Sequence, residues 1–353
     1  MIDPKKVLFV GLHSSVVGWY RCFSPAMHLG ADWVGLTGSP PNLTLRTGLV
    51  KGQTQVPNFL DYEVIVLQQP RGEGWRKKIR AFQERGIKVV FEVDDYLHAI
   101  RKMKDHDFSR HFDKKALASL ETNMRISDAV ICSTDYIARR YRKFNPNIHV
   151  CENALDLGRY RLTKPERPTV NIGWQGATGH TTGMIPWLRQ VAEVMGYEDD
   201  TCFVSIGQPF ADALKELYPD RCISVPFTSL DIYPAPMTLM DIALAPAGKG
   251  QFFKGKSDLR WLEASALSIP LIGDPDVYPK IEHGVTGFHA ETPEEAGDLL
   301  LELVRDLKLR LEVGANARAY VEEHRDMSEA SARWAEVLTD LVEDRTTELV
   351  ATS

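Results

Sequence analysis

Residues 254–273 read KGKSDLRWLEASALSIPLIG, and they contain one helix followed by one buried strand. Ser257 and Asp258 are residue types that begin helices, and the pattern that follows predicts a helix ending near Leu267. The apolar run IPLIG at 269–273 then predicts a strand covered on both faces. A helix joined to such a strand is the building unit of a doubly wound α/β fold.

The same alternation extends over most of the chain. The predicted strands of the first half are 6–10, 32–36, 63–68, 87–93, 128–133 and 147–151, with helices at 75–85 and 111–126 between some of them. The predicted strands of the second half are 169–174, 201–207, 221–226, 241–246, 269–273 and 287–291. Continuous Val, Ile and Phe runs of this kind are typical of parallel sheets.

A charged segment with two prolines, DLGRYRLTKPERP at 156–168, interrupts this alternation and predicts an interdomain linker. We therefore predict an α/β protein with two doubly wound, parallel-sheet (Rossmann-like) domains. Ligands bind such sheets at the carboxyl ends of the strands, so the expected site is a cleft that the two domains face.

The composition is that of a soluble globular protein, with 353 residues, of which 44% are hydrophobic and 25% charged. The net charge of −6 gives no overall basic field for nucleic acid. The apolar run after Lys5 and Lys6 is too short for a signal peptide or a membrane span. Five scattered cysteines without a C-x-x-C pair fit reduced thiols, so we expect a cytoplasmic protein with no transmembrane segment.

Glu263 lies among apolar residues in a helix whose pattern indicates burial, and carboxylates are rarely buried without a partner. One hypothesis is a ligand whose phosphates lie at the helix start near Lys254 and Lys256, with its hydroxyl groups about 9 Å further along the helix at Glu263. The alternative is an amphipathic, capped helix with a surface pair between Arg260 and Glu263.

Two long segments carry a resemblance to a known family. KSDLRWLEASALSIPLIG at 256–273, followed by VYPKIEHGVTGFHAETPEEAGDLLLELVRD at 277–306, resembles the donor-binding half of GT-B glycosyltransferases, especially the retaining family 4 group. SDAVICSTDYIARRYRKFNPNIHVCENALDLGRY at 127–160 is similar to the segment that closes the first domain of that family. The resemblance covers most of 125–325.

The resemblance implies a division of the chain and a reaction. It implies an acceptor-side domain at 1–160, a donor-binding domain at 169–325, and a C-terminal helix at 326–353 that crosses back toward the first domain. The co-substrate would be a UDP- or GDP-linked sugar, transferred with retention, with no cofactor and no metal. The family's paired glutamates lie eight positions apart; Glu263 matches the second, which holds the ribose, whereas Gly255 stands in place of the first.

Further donor contacts are expected at two places in the second half. In a subgroup of the family, the residues matching Lys256 and Ser257 contact the diphosphate. In GWQGATGHTTG at 173–183, glycines permit close approach of a ligand at the start of a helix, although a plain turn with a helix cap is the alternative. The predicted donor-binding residues are Gly176, His180, Thr181, Lys254, Lys256, Ser257, Leu259 and Glu263.

Acceptor-side and catalytic residues are expected in the first half. Asp94 and Asp95 follow an apolar strand and resemble an acidic pair of the same subgroup; they would orient acceptor hydroxyls or act as a base, unless Asp95 only caps a turn. Gly18 permits close approach, and Arg21 would contact a phosphate or an acidic acceptor. The predicted catalytic residues are Asp94, Asp95 and Lys256.

The sequence thus predicts a glycosyltransferase that uses a nucleotide-diphosphate sugar. A nucleotide-sugar epimerase of the same fold and a non-catalytic sugar-nucleotide binder are the alternatives, and Gly255 favours the second of them. The acceptor stays open among a glycan, a lipid-linked sugar, a protein and a modified nucleobase.

Overall fold

The computed structural model describes residues 1–11, 16–37, 44–46, 58–103, 109–177, 181–229 and 232–351. The chain forms two compact units. The first contains Met1–Ala154, Gly255–Ser257 and Met327–Ser353, and the second contains Leu155–Lys254 and Asp258–Asp326.

Each unit is built on one sheet with helices on both faces. The strands are β1 (Val7–Gly11), β2 (Asp32–Thr37), β3 (Thr44–Arg46), β4 (Val64–Gln68), β5 (Lys88–Val93), β6 (Ala129–Cys132), β7 (Ile148–Val150), β8 (Val170–Gly176), β9 (Thr201–Gly207), β10 (Cys222–Val225), β11 (Ile242–Ala245), β12 (Leu271–Gly273) and β13 (Phe288–His289). The strand order is β3-β2-β1-β4-β5-β6-β7 in the first unit and β10-β9-β8-β11-β12-β13 in the second.

All described strand pairs are parallel except β2 with β3. The predicted strands of both halves are confirmed, with ends that differ by one or two residues in most of them. The antiparallel edge strand β3 was not predicted, because its three residues form no apolar run.

The helices alternate with these strands. They are α1 (Val16–Gly18), continued by a π-helical turn at Trp19–Phe23, α2 (Ser24–Leu29), α3 (Glu73–Gln83), α4 (Leu97–Ile100), α5 (Lys114–Ile126), α6 (Asp135–Tyr141), α7 (Thr181–Tyr197), α8 (Pro234–Met237), α9 (Gln251–Lys254), α10 (Leu259–Ser265), α11 (Pro293–Arg305), α12 (Leu307–His324) and α13 (Met327–Ala351). Short 3-10 turns lie at Pro4–Lys6, Phe59–Asp61, Ser109–His111, Leu157–Tyr160 and Phe210–Leu214.

Both faces of the first sheet are buried. On one face Phe9 packs against Trp334 of α13, with ring centroids 5.7 Å apart. On the other face Leu8 packs with Trp75 and Ile79 of α3. This two-sided cover explains why the strands are apolar at successive positions rather than at alternating ones.

The second sheet has its own core. Trp174 of β8 and Phe203 of β9 pack with Trp187 of α7 and Leu303 of α11, and all four are at least 94% removed from solvent. No described helix has the length and apolar character needed to cross a bilayer.

Two described residues other than glycine have a left-handed backbone, Gln69 with φ of 43° and Ser268 with φ of 54°. This conformation costs an L-residue about 1–2 kcal/mol. Gln69 directly follows β4, at the edge of the sheet where ligands bind in folds of this class. Ser268 lies in the exposed turn between α10 and β12.

Candidate functional site

The centre of the candidate site in the second unit is Glu263, on the buried side of α10. Its residue surface is 2% exposed, and Oε2 accepts a hydrogen bond from Nε2 of Gln175 at 2.9 Å. Gln175 belongs to the carboxyl end of β8, so the carboxylate faces the edge of the sheet where a ligand is expected.

The alternative of a surface pair between Arg260 and Glu263 is wrong. Arg260 donates a hydrogen bond to the main-chain oxygen of Gln175, and its guanidinium lies over the Trp174 ring at 5.2 Å. Burial, and after it the negative charge of Glu263, holds the pKa of the buried Tyr233 well above its usual value. Glu263 is therefore a buried carboxylate next to a buried phenol, and a carboxylate is costly to keep in such a place.

The start of α10 differs from the predicted cap. Asp258 occupies the N-cap position, but its side chain makes no capping hydrogen bond and instead accepts one from Arg325 Nη2 at 2.6 Å. Ser257 Oγ accepts a hydrogen bond from Asn153 Nδ2 at 2.8 Å. The helix ends at Ser265, two residues before the predicted Leu267, and its seven residues make the predicted helix-dipole contribution to phosphate binding small.

The two predicted lysines have different surroundings. Lys256 Nζ lies 3.0 Å from each carboxylate oxygen of Asp95, and both side chains are largely buried. Lys254, at the end of α9, forms an exposed pair with Asp276 at 3.1 Å. Asp95 therefore does not cap a turn with its side chain, and the structure joins two residues, Asp95 and Lys256, whose roles were predicted separately.

Asp94 follows β5 directly and differs from its neighbour. Its Oδ1 accepts a hydrogen bond from Gln69 Nε2 at 2.6 Å, and its main-chain oxygen accepts one from Ser133 Oγ at 2.8 Å. Burial, followed by the negative charges of Asp95 and Glu92, raises the pKa of Asp94 to about 8. A carboxyl group of this kind can both donate and accept protons near neutral pH.

Arg21, for which a contact with a phosphate or an acidic acceptor was predicted, is a buried side chain with several partners. It is 1% exposed, and its Nε donates to Glu92 Oε1 at 2.7 Å. Its Nη1 donates to Cys151 O at 2.7 Å and to Asn153 Oδ1 at 3.0 Å. A direct contact of Arg21 with a ligand stays a prediction; in the structure Arg21 holds Asn153, which in turn contacts Ser257.

One of the two predicted glycine contacts, Gly176, has a packing explanation. Gly18 has an ordinary helical φ of −61°. A Cβ on Gly176 would lie 2.8 Å from the Trp174 ring, and one on Gly207 would lie 2.4 Å from the main-chain oxygen of Gly176. Close packing at the ends of β8 and β9 thus already requires glycine at both of these positions.

Two of the remaining predicted donor residues begin helices. Thr181 begins α7, and Leu259 begins α10. His180 lies outside the described residues. Within the described ranges, no group of three or more His, Cys, Asp or Glu side chains is arranged to hold a metal ion. The absence of a metal requirement stays a prediction.

Three amide side chains that contact predicted site residues were not expected from the sequence: Gln69 and Asn153 in the first unit and Gln175 in the second. They contact Asp94, Ser257 and Glu263 respectively. Each lies at or just after the carboxyl end of a strand. A polar residue where an apolar run ends is the signal that could have indicated them.

The chain is similar to known proteins in its three-dimensional structure, whereas comparisons of its sequence find no match. No protein-family model matches the chain, and no curated protein matches it significantly. HepE from Anabaena in complex with UDP-glucose is similar in structure, with a TM-score of 0.65, 15% identity, and coverage of 95% of this chain and 99% of HepE. A glycosyltransferase from Rickettsia africae gives a TM-score of 0.66 at 12% identity, covering 97% of this chain and 99% of that one.

A further similar structure is the pneumococcal O-GlcNAc transferase GtfA in complex with UDP and GlcNAc. Its TM-score is 0.56 at 16% identity, and the match covers 79% of this chain and 57% of GtfA. The nearly full-length matches to the two shorter proteins include both sheets, in agreement with the topology described above. The chain therefore has the GT-B fold, with two Rossmann-like domains, that these glycosyltransferases share.

Proposed function

We propose that this protein is a glycosyltransferase that moves a sugar from a nucleoside-diphosphate sugar to a hydroxyl group of an acceptor. The observation that carries the proposal is the buried carboxylate of Glu263, which accepts a hydrogen bond from Gln175 at the carboxyl edge of the second sheet. The similar structures support it, because HepE was solved with UDP-glucose and GtfA with UDP and GlcNAc.

In this proposal Glu263 accepts hydrogen bonds from the ribose hydroxyls. A buried carboxylate has a large desolvation cost, and two hydroxyl donors would offset part of it. The hydrogen bond from Gln175 fixes the direction of the group before the ligand arrives. Preorganisation of this kind lowers the entropy cost of binding.

Lys256 and Ser257 are the proposed diphosphate contacts. When the bond between the anomeric carbon and the phosphate oxygen breaks, its electron pair remains on the diphosphate, which then carries additional negative charge. An ammonium group that is already in place stabilises that charge without reorganisation. Asp95 holds Lys256 in place, and Asn153 holds Ser257.

UDP is the proposed nucleotide, since the similar HepE and GtfA structures hold it. Transfer of a hexose with retention, and a reaction without a metal, complete the proposal; their support is the resemblance of 256–273 and 277–306 to the retaining family 4 group. Asp94 and Asp95 are the proposed acceptor-side residues.

Ligand-induced stabilisation tests the donor site. Thermal unfolding of wild type would be measured with UDP, GDP and UDP-glucose, beside Glu263→Gln and the control Glu312→Gln, which changes an exposed carboxylate on α12. A ligand at a hundred times its Kd contributes about 2.7 kcal/mol. We expect UDP to stabilise wild type and the control but not Glu263→Gln.

Two results would contradict the proposal. One is that neither nucleotide stabilises wild type. The other is that UDP-glucose binds but is never cleaved, since release of UDP is what would show transfer to water or an acceptor. Without that release, interconversion of the sugar nucleotide followed by NMR would indicate an epimerase. Binding without any conversion would indicate a non-catalytic binder.

A further inference from the structure

The strained backbone at Gln69 lies beside Asp94, whose carboxyl group accepts a hydrogen bond from the Gln69 amide. Strained residues persist where the surrounding structure determines their conformation, and they are concentrated at functional sites. Two hydrogen bonds determine the conformation of Gln69. Its main-chain N–H donates to Glu92 O at 2.8 Å, and its side-chain Nε2 donates to Asp94 Oδ1 at 2.6 Å.

The register of the sheet explains why Gln69 reaches Asp94. Gln68 of β4 is paired with Glu92 of β5, so the two strands end side by side. The left-handed turn at Gln69 then directs its side chain toward the first residue after β5. An extended backbone at this position would carry the side chain in another direction.

The second oxygen of Asp94 has a different environment from the first. No described residue donates a hydrogen bond to Oδ2, and part of the residue's surface is exposed. The charged groups that face this carboxyl are Glu92 and Asp95, which are negative, and Lys256 and Arg21, which are positive. Oδ2 is therefore the oxygen that remains available to a substrate.

We propose that Gln69 is a positioning residue: its amide holds Asp94 Oδ1, so that Oδ2 accepts the hydrogen bond of the acceptor hydroxyl and orients that oxygen for transfer. This proposal rests on the proposed glycosyltransferase function. It relates the left-handed backbone of Gln69 to the hydrogen bond that its amide donates to the carboxyl group.

The pKa of Asp94 gives the arrangement a pH dependence. Because that pKa is about 8, the group is largely protonated at pH 6 and becomes ionised as the pH rises through 8. The ionised form is the one that accepts a hydrogen bond from a hydroxyl. We therefore expect kcat to rise with pH between about 6 and 9.

The test uses two substitutions at Gln69 with a control for strain. Gln69→Gly removes the amide and the strain together. Gln69→Asn keeps an amide and tolerates the left-handed backbone, but it is one methylene too short to reach Asp94. Ser268→Gly is the matched control, since it relieves the same kind of strain at an exposed turn of the second unit.

The measured quantities are the melting temperature, the stabilisation by UDP, and kcat and KM for the release of UDP from UDP-glucose with water as acceptor. We expect both Gln69 variants to fold and bind UDP like wild type, with kcat roughly ten- to a hundredfold lower because the acceptor oxygen is misplaced. Ser268→Gly should melt at a higher temperature with unchanged kcat.

A second measurement does not need turnover. In protein labelled with ¹³C at the aspartate carboxyl groups, the Asp94 signal, assigned with Asp94→Asn, should titrate near pH 8 in wild type. Loss of the amide donor removes a group that stabilises the ionised form, so the midpoint should move upward in Gln69→Gly and Gln69→Asn but not in Ser268→Gly.

The outcomes separate the two proposals. If wild type is active and Gln69→Asn has the same kcat and the same Asp94 titration midpoint as wild type, the role of Gln69 is overturned. The glycosyltransferase function would still stand in that case. Failure of wild type to bind UDP or to release it from UDP-glucose would overturn the proposed function and this proposal with it.

Discussion

At the scale of single residues, the sequence revealed unusual groups but not their partners. Glu263 could be predicted because a carboxylate among apolar residues departs from the local helical pattern. The pairing of Lys256 with Asp95 could not be predicted, because the two residues are 161 positions apart and only the fold brings them together. The left-handed backbone of Gln69 was also not predictable, since this conformation is normally associated with glycine or asparagine.

The raised pKa of Asp94 predicts a pH-dependent stability. The folded state holds this proton up to about pH 8, whereas the unfolded chain releases it near pH 4. The unfolded state therefore binds fewer protons between these values, and the free energy of unfolding falls as the pH rises from about 4 to 8. Asp94→Asn, which carries no charge, should remove this loss.

Urea unfolding at pH 5.5 and pH 8.5 checks this prediction. Asp94→Asn should gain stability relative to wild type on going to pH 8.5, by at least about 1 kcal/mol, since one pKa unit corresponds to 1.36 kcal/mol. The exposed Asp340 on α13 provides the control Asp340→Asn. An equal effect of Asp94→Asn at both pH values would show that Asp94 ionises normally in the folded protein.

At the scale of elements, the buried strands were the most predictable part. Their uninterrupted apolar runs follow from helices covering both faces of each sheet. The short α10 was predicted too long, because the turn at Ser268 is made by a residue whose left-handed backbone has no sequence signal. The edge strand β3 was missed because three residues show no periodicity.

The packing of α7 depends on a glycine in its first turn. A Cβ on Gly183 would lie 2.9 Å from the main-chain carbon of Ala247 and 3.0 Å from Pro246 O, and backbone atoms cannot easily move away. We expect Gly183→Ala to lower the free energy of unfolding by about 1–3 kcal/mol. The measurement is urea unfolding followed by circular dichroism.

Gly196→Ala, near the other end of the same helix, is the control. Its Cβ would meet only the far end of the Tyr218 side chain, at 3.1 Å. The gain in helix propensity, up to about 1 kcal/mol, should then make this substitution neutral or stabilising. Equal destabilisation by both alanines would show that the contact with 246–247 is not the reason why Gly183→Ala lowers the free energy of unfolding.

At the scale of the whole molecule, each unit has its own sheet and its own core. The two-domain organisation was predictable because the same strand–helix alternation occurs twice, once on each side of a proline-containing segment. The assignment of Gly255–Ser257 to the first unit was not predictable, because its neighbours on both sides along the chain belong to the second. Such an assignment depends on long-range contacts, for which local patterns carry no information.

The dependence of the first unit on the last helix gives a prediction at this scale. Trp334 and Leu338 of α13 are buried against the face of the first sheet that contains Phe9 and Val66. A chain ending at Asp326 would expose that face, and losing a buried Trp alone costs about 3–5 kcal/mol. Hydrogen exchange followed by mass spectrometry should therefore show β1 and β4 losing protection while β8 and β9, whose core lies in the second unit, keep theirs.

Trp334→Ala in the full-length chain should give a smaller loss in the same strands, because the rest of the helix still covers them. Equal loss of protection in both sheets would mean that the two units unfold as one cooperative body, and that α13 stabilises the molecule as a whole rather than the first unit.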